Sequence, residues 1–109
     1  MSIEKAIQNC FEINLSTKLE KYQAISKANE EWGELNEAIL IEDGLIDKEC
    51  KEDAWHEAAD TIQCILSVLG KHYPELTPAE MVNKLTDALN TKNEKWIEYN
   101  NGHTTTSTD

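Results

Sequence analysis

Two acidic clusters hold the residues of this chain that are best suited to chemistry. They read EEWGE at residues 30–34 and EAAD at residues 57–60. Within each cluster two carboxylates stand three residues apart, Glu31 with Glu34 and Glu57 with Asp60. Residues at this spacing are neighbours on one face of a helix, with about 5–6 Å between their Cβ atoms. If the two helices pack antiparallel, four carboxylates can therefore converge from two directions.

Four carboxylates held close together repel one another strongly unless a cation lies between them. Mg²⁺ suits such a site because it takes oxygen ligands and keeps positions for water and for substrate phosphates. Mn²⁺ is an expected substitute. We therefore interpret the four residues as candidate metal ligands. However, the chain contains many glutamates, and pairs of this spacing also arise on solvated helix faces, so the residues alone leave both interpretations open.

Four helices are predicted to position these clusters, because apolar residues recur at three- and four-residue steps. The predicted spans are Ser2 to about Asn14, Thr17 to about Glu42, about Asp47 to His72, and Thr77 to about Tyr99. Thr17 with Glu20 and Thr77 with Glu80 fit capping boxes, and Asp43-Gly44 fits a turn. No sustained alternation of period two indicates a strand. The expected fold is therefore an all-α four-helix bundle.

The apolar stripes of these helices carry the three tryptophans. On the second helix the stripe consists of Ile25, Ala28, Trp32, Leu35 and Ile39. Trp55 and Trp96 hold similar positions on the third and fourth helices. Because such stripes normally face the core, we expect all three indole rings to be buried.

Length and charge narrow the classes of function. A chain of 109 residues predicts one compact domain, placed at residues 1–99 and followed by a flexible polar tail at residues 100–109. The net charge of −11 and the absence of arginine disfavour a nucleic-acid polymer as partner, because phosphate backbones require clustered Lys or Arg. Hydrophobic residues make up only 39%, so we expect a homo-oligomer, since small domains often gain stability by associating.

Several features favour a cytoplasmic protein. Cys10, Cys50 and Cys64 are odd in number and lack the spacing of zinc ligands, so reduced thiols are expected. Glu4 and Lys5 interrupt any apolar start, so no signal peptide is expected. No uninterrupted apolar run reaches the roughly 18 residues of a membrane helix, and we expect no membrane partner.

The two clusters together resemble the signature of the MazG-type all-α NTP pyrophosphohydrolases. An EExxE sequence at residues 30–34, a gap of 22 residues and an ExxD sequence at residues 57–60 carry the resemblance, and the order of helices extends it over roughly residues 17–99. This superfamily also includes the helical dUTPases, dCTP pyrophosphatases and phosphoribosyl-ATP pyrophosphohydrolases. The resemblance implies hydrolysis of a (deoxy)nucleoside triphosphate to the monophosphate and pyrophosphate. It also implies Mg²⁺ held by Glu31, Glu34, Glu57 and Asp60, and a homodimer or homotetramer that cleans or regulates the nucleotide pool.

A mechanism follows from the resemblance as a hypothesis. Mg²⁺ would draw charge from the phosphate oxygens and lower the pKa of a bound water. Glu34 or Glu30 would orient and deprotonate that water, and the residues do not rank the two. Phe11 and Tyr22 lie where the family builds part of its base pocket, so either is a candidate for stacking on a base.

The fourth helix carries the candidate phosphate-binding residues. Lys84, Lys92 and Lys95 fall within roughly an 80° arc, and the stretch around Asn93 is similar to a basic, asparagine-containing segment of the family. We expect Lys84, Lys92, Asn93 and Lys95 to bind substrate, often across a subunit boundary. Lys92 also falls inside an apolar stripe, where a lysine commonly snorkels to solvent without binding anything. The family's usual arginines are absent, which leaves the substrate undetermined and argues against phosphoribosyl-ATP.

Two other classes of protein share part of this pattern. One is a non-catalytic acidic helical adaptor that dimerises or binds a partner helix through its apolar stripes, and it remains the main alternative. The other is a carboxylate-bridged di-iron bundle, which needs two Glu-x-x-His pairs. His56 directly precedes Glu57, and no acid stands three residues before His72, so this second alternative is disfavoured.

Overall fold

Four helices make up the fold of the residues that the computed structural model describes, residues 2–105, with side chains described through residue 102. They are α1 (Ile3–Leu15), α2 (Lys21–Glu42), α3 (Ala54–His72) and α4 (Pro78–Thr105). No strand occurs in this part of the chain, which confirms the all-α prediction. Helix α2 packs along α3, whereas α1 packs against both α3 and α4. This arrangement is compatible with a four-helix bundle in which α1 joins the α2–α3 pair to α4.

Side-chain caps set the starts of α1, α3 and α4. The Ser2 hydroxyl accepts from the Lys5 N–H at the start of α1 (3.1 Å), and an Asp53 carboxylate oxygen accepts from the His56 N–H at the start of α3 (2.9 Å). The predicted capping box at the start of α4 is confirmed, because the Thr77 N–H donates to Glu80 (3.0 Å) and the Glu80 N–H donates to Thr77 (3.2 Å). Each cap satisfies backbone donors that have no partner within the helix.

The predicted start of α2 at Thr17 is wrong. The Thr17 hydroxyl instead donates to the Asn14 carbonyl at the end of α1 (3.0 Å) and accepts from the Lys71 ammonium (2.9 Å). Helix α2 begins four residues later, where Glu20 and Gln23 form the capping box. The difference arises because Thr17 forms hydrogen bonds with the end of α1 and with Lys71 of α3 instead of capping α2.

The predicted start of α3 near Asp47 is also wrong, since α3 begins at Ala54. Helix α2 ends in a turn at Gly44, which adopts φ of 75°. The Gly44 N–H donates to the Ile41 carbonyl (3.0 Å) and the Leu45 N–H to the Leu40 carbonyl (2.9 Å). This pair of bonds is a Schellman motif. The chain then crosses to Asp53 through turns and bends, so α3 starts only where an effective N-cap is available.

Helix α4 extends further than its apolar pattern predicted. It continues past Tyr99 to Thr105, although we expected it to end near Tyr99. All residues from 87 to 102 are exposed, so the second half of α4 gains little from packing within one chain. The predicted flexible tail therefore begins as helix, and its last four residues lie outside the described part.

The apolar core lies where α1, α3 and α4 meet. Phe11, Leu66 and Met81 are almost fully buried and form its centre. Phe11 is only 2% exposed and packs in this core, and its role in stacking on a base stays a prediction. None of the helices in the described part of the chain has an apolar stretch long enough to cross a membrane.

The prediction that all three tryptophans lie in the core is wrong for the single chain. Trp32, Trp55 and Trp96 are 55%, 85% and 62% exposed. Helix α2 turns a neighbouring face toward α3, and that face carries Ala24 and Ala38 at its buried positions. The physical reason is steric, because two helices approach closely over alanine and cannot do so over tryptophan.

Gly44 and Gly33 provide a test of the α2 boundaries. We expect Gly44→Ala to lower the free energy of unfolding by about 1 kcal/mol, because a side chain disfavours positive φ. Gly33→Ala should raise it by up to about 1 kcal/mol, because alanine favours helix and the added methyl meets nothing within 4 Å. Urea unfolding followed by circular dichroism measures both. Equal effects of the two substitutions would contradict the observed helix end.

Candidate metal centre

The face of α2 that packs on α3 buries a carboxylate between two alanines. Ala24, Glu31 and Ala38 are the buried residues of α2 and stand seven residues apart. Because two turns of helix nearly repeat after seven residues, all three lie on one stripe. The alanines let α3 approach closely, and Glu31 is consequently only 7% exposed. Its carboxylate therefore lies at the helix interface instead of in solvent.

The opposing face of α3 contributes two further carboxylates. Asp53 caps the helix, and its carbonyl accepts from the Glu57 N–H (3.0 Å), which places Glu57 in the first turn. Glu57 is 7% exposed, and Asp60 follows it at the half-buried edge of the same face. The hydroxyl of buried Thr61 donates to the Glu57 carbonyl (2.9 Å). The Thr61 hydroxyl is thus satisfied within the helix and does not donate to the carboxylates.

Glu31, Glu57 and Asp60 form a compact triad. One oxygen of each carboxylate lies within 4.8 Å of the corresponding oxygen of the other two. Such a set of hard oxygen donors suits Mg²⁺, which commonly binds through a few carboxylates and keeps its remaining positions for water and phosphate. The two helices thus bring together three of the four predicted ligands.

One oxygen of the Glu31 carboxylate has no hydrogen-bond partner among the described residues. Its Oε1 lies 3.2 Å from the Lys27 ammonium, whereas its Oε2 is buried and accepts no hydrogen bond from the described residues. A buried carboxylate oxygen without a donor carries a desolvation penalty. A cation bound by the triad would remove that penalty. The orphaned oxygen is therefore the observation that distinguishes this cluster from an ordinary acidic surface.

The electrostatic environment of Glu57 also favours a bound cation. Desolvation is the main cause that raises the pKa of the Glu57 carboxyl above its ordinary value of 4.5, and the neighbouring charge of Glu34 raises it further. The charged form of Glu57 is thus disfavoured in the absence of a cation. Lys27 is the one lysine that forms an ion pair with this cluster in the described part of the chain, to Glu31 and, at 3.6 Å, to Glu30.

The structure separates the roles of the remaining predicted carboxylates. Glu34 is exposed and lies outside the triad, but the negative charge of Glu31 raises the pKa of the Glu34 carboxyl. Glu34 therefore lies at the edge of the cluster, facing solvent. Glu30 is also exposed and is held by Lys27. Its role as the base remains a prediction, as does that of Glu34.

The predicted substrate-binding residues of α4 do not join the triad within one chain. Lys84, Lys92, Asn93 and Lys95 are all exposed, and α4 packs on α1 instead of α2. Lys84 lines an apolar cavity beside Phe11. Lys92 and Lys95 lie beside Trp96 on the protruding half of α4. The packing of the single chain therefore leaves the substrate-binding role of these residues a prediction.

Lys27 is the site residue that sequence reasoning missed. It stands four residues before Glu31, a spacing that favours ion pairs on one helical face. Hydrogen bonding to Glu31 is the main cause that raises the pKa of the Lys27 ammonium. The spacing was a usable signal, but it recurs by chance in a chain rich in lysine and glutamate.

Comparison of this chain with known proteins found no matching family model, no matching curated protein and no matching solved structure.

Glu57→Gln tests the electrostatics of the triad. Glutamine removes a charge whose raised pKa shows that it is disfavoured, so the metal-free variant should melt at a higher temperature than the wild type at pH 7. Mg²⁺ should raise the melting temperature of the wild type and should leave that of the variant almost unchanged. Differential scanning fluorimetry measures both effects, and Glu49→Gln in the exposed α2–α3 connection is the matched control.

The effect of Glu57→Gln on folding stability should depend on pH, and the direction of that dependence follows from the raised pKa of Glu57. The folded state binds the Glu57 proton more tightly than the unfolded state, so this contribution to stability is present below the ordinary pKa of 4.5. It is lost as the pH rises through the raised pKa. The metal-free wild type should therefore lose more stability than Glu57→Gln as the pH rises above about 4.5. Parallel stability profiles of the two proteins would show that Glu57 is not electrostatically disfavoured.

Proposed function

We propose that this protein is a divalent-metal-dependent nucleoside triphosphate pyrophosphohydrolase whose metal is held by Glu31, Glu57 and Asp60. The observation that carries the proposal is the buried, unpartnered Oε2 of Glu31 within a triad of carboxylates. The spacing of the acidic clusters, which resembles that of the MazG-type enzymes, supports the choice of reaction.

The chain's own residues take distinct roles in this reaction. Glu31, Glu57 and Asp60 hold the ion, and Lys27 balances part of their charge. When bound, the divalent ion supplies positive charge to the phosphate oxygens and acidifies water. Glu34 accepts the proton of the attacking water, because it is an exposed carboxylate at the edge of the triad. Glu30, paired with Lys27, is the second candidate for this role.

The proposal includes a homodimer. Ile25, Trp32 and Ile39 repeat every seven residues along α2 and are 39%, 55% and 43% exposed. Ile25 shares a shallow cavity with Ile65 of α3, which is 48% exposed. These four residues, here called the apolar strip, form a continuous surface of the kind that mediates association. Association would also supply a second α4, with its lysines, to the acidic cluster.

The apolar strip also favours the second candidate function, an acidic helical adaptor. A heptad repeat of large apolar residues on an exposed helix is what a partner helix recognises. An adaptor, however, gives no reason for the buried Glu31 carboxylate beside Glu57. The two functions differ in their response to Mg²⁺ with a nucleotide, which should stabilise the enzyme and leave the adaptor unchanged.

Pyrophosphate release tests the enzyme directly. The wild type, incubated with Mg²⁺ and each of the common ribo- and deoxyribonucleoside triphosphates, should release pyrophosphate and a monophosphate from at least one. Asp60→Asn should lower kcat by about 100-fold or more, because loss of a ligand weakens the positive charge that the reaction requires. Asp87→Asn, on the exposed half of α4, should retain full activity.

Two results would contradict the enzyme. One is the absence of pyrophosphate with every nucleotide in both Mg²⁺ and Mn²⁺. The other is an Asp60→Asn variant as active as Asp87→Asn. If Mg²⁺ with nucleotide also fails to change the melting temperature, the adaptor becomes the better description.

Association through the apolar strip is tested by sedimentation velocity. The wild type should sediment with at least twice the chain mass of 12.4 kDa. Trp32→Lys should shift it to the single-chain mass, since a buried unpaired ammonium is strongly unfavourable. Ile13→Lys, at a 58% exposed position of α1 away from the strip, should leave association intact. A monomeric wild type would remove the dimer from the proposal without removing the metal centre.

A further inference from the structure

Lys27 lies at the solvent-facing edge of the triad, one helical turn before Glu31 on α2. Its ammonium nitrogen is 3.2 Å from Oε1 of Glu31 and 3.6 Å from Oε1 of Glu30. The side chain of Lys27 is 47% exposed, whereas that of Glu31 is only 9% exposed. The ion pair thus joins a cation on a flexible, solvated stem to a carboxylate that the helix interface holds in place.

This contact reaches only one oxygen of Glu31. Oε1 is paired with the Lys27 ammonium, whereas Oε2 is the buried oxygen that accepts no hydrogen bond from the described residues. Because both oxygens belong to one rigid, planar group, the ion pair at Oε1 also fixes the direction in which Oε2 points. Lys27 therefore orients the Glu31 carboxylate and leaves its second oxygen for another cation.

Most of the charge of the triad has no counter-ion in the protein. Glu57 and Asp60 form no ion pair with a lysine in the part of the chain that the structure describes. Three carboxylates therefore share one ammonium, and a formal charge of −2 remains when all four groups are ionised. One divalent cation would balance that remainder, whereas a monovalent ion would leave half of it.

A divalent ion in the triad and the Lys27 ammonium would repel each other. Both are positive and both lie against Glu31, so the presence of one weakens the binding of the other. A phosphate bound to the ion changes this balance, because its negative oxygens attract the ammonium. Such a phosphate reaches the ion from the solvent, on the side where Lys27 lies, since Glu31 and Glu57 are buried between α2 and α3.

We propose that Lys27 makes the triad selective for the form in which the metal arrives. It disfavours a bare divalent ion and favours an ion that carries a triphosphate. The second half of this inference rests on the proposed function, whereas the first half concerns only the metal centre. In the metal-free protein the same ammonium stabilises the fold, because a buried carboxylate without its ion-pair partner is strongly destabilising. Lys27 is therefore a positioning residue that acts through Glu31 and through the charge of the site.

Mn²⁺ binding without any nucleotide tests the first half of the inference. Lys27→Met removes the charge and keeps an apolar stem of similar length. It should lower the melting temperature of the metal-free protein, yet it should also lower the Kd for Mn²⁺ by about threefold to tenfold, because the repulsion is gone. Electron paramagnetic resonance of the free Mn²⁺ measures the Kd. Removal of a residue with only a structural role would weaken metal binding instead.

Matched variants separate the effect of charge from that of shape. Lys48→Met removes another exposed lysine, which pairs with Glu37 (2.9 Å) outside the triad, and it should leave the Kd for Mn²⁺ unchanged. Lys27→Arg keeps the charge and should retain the wild-type Kd. Lys27→Gln removes the charge but keeps a donor for Glu31, so it should reproduce the lower Kd even if Lys27→Met does not fold.

Inorganic tripolyphosphate tests the second half, because it carries the phosphates of a nucleotide without its base or sugar. The preformed complex of Mn²⁺ with tripolyphosphate should bind Lys27→Met about threefold to tenfold more weakly than the wild type, since the attraction to the ammonium is lost. The two shifts in Kd thus have opposite signs. Isothermal titration calorimetry with the preformed complex measures the second shift, and Lys48→Met is again the control.

The outcomes separate this inference from the proposed function. A wild type that binds no Mn²⁺ would overturn the inference together with the metal centre. If the wild type binds Mn²⁺ but Lys27→Met binds it equally or more weakly, or if the tripolyphosphate complex binds both proteins equally, the selectivity of Lys27 is wrong and the metal centre stands. Failure of every nucleotide to release pyrophosphate would contradict the enzyme, whereas two shifts of opposite sign would still support the role of Lys27.

Discussion

The repulsion between carboxylates that α2 and α3 bury together is the constraint on which this structure depends. Glu31 and Glu57 are each 7% exposed, and Asp60 lies beside them. A single lysine, Lys27, balances part of this charge. An arrangement of this kind costs stability when nothing else is bound, and the proposed metal ion would offset that cost. The close packing of α2 on α3 and the proposed chemistry of the site therefore depend on the same buried carboxylates.

Other features of the fold hold α2 and α3 close together. Ala24 and Ala38 lie on the same stripe as Glu31 and keep the helix axes close. The Asp53 cap sets where α3 begins and thereby places Glu57 in the first turn, opposite Glu31. The apolar core at Phe11 lies at the other end of α3 and anchors the pair to α1 and α4. Clusters of mutually unfavourable charges of this kind commonly occur at functional sites.

The sequence predicted the helices and the identity of the acidic residues better than it predicted which faces are buried. Four helices, the cap at Thr77 and the turn at Gly44 followed from local rules. On a helical-wheel projection of α2, however, the largest apolar residues lie on the same stripe as Trp32. That stripe is exposed in the single chain. Hydrophobicity alone could not reveal that α3 packs over alanines and a glutamate, because this choice depends on how closely two helices can approach. The second half of α4 and the strip at Trp32 are exposed in the single chain, and the proposed homodimer would cover the strip.

Diffraction from crystals soaked in Mn²⁺ would show whether Glu31, Glu57 and Asp60 hold a metal ion between them. Anomalous scattering at the manganese edge locates the ion without reference to activity, substrate or oligomeric state. We expect a strong peak among these three carboxylates, with Oε2 of Glu31 as one of its ligands, and no peak there in crystals of Glu57→Gln. A manganese peak elsewhere with an empty triad, or carboxylates that turn away from one another into solvent, would contradict the proposed metal centre.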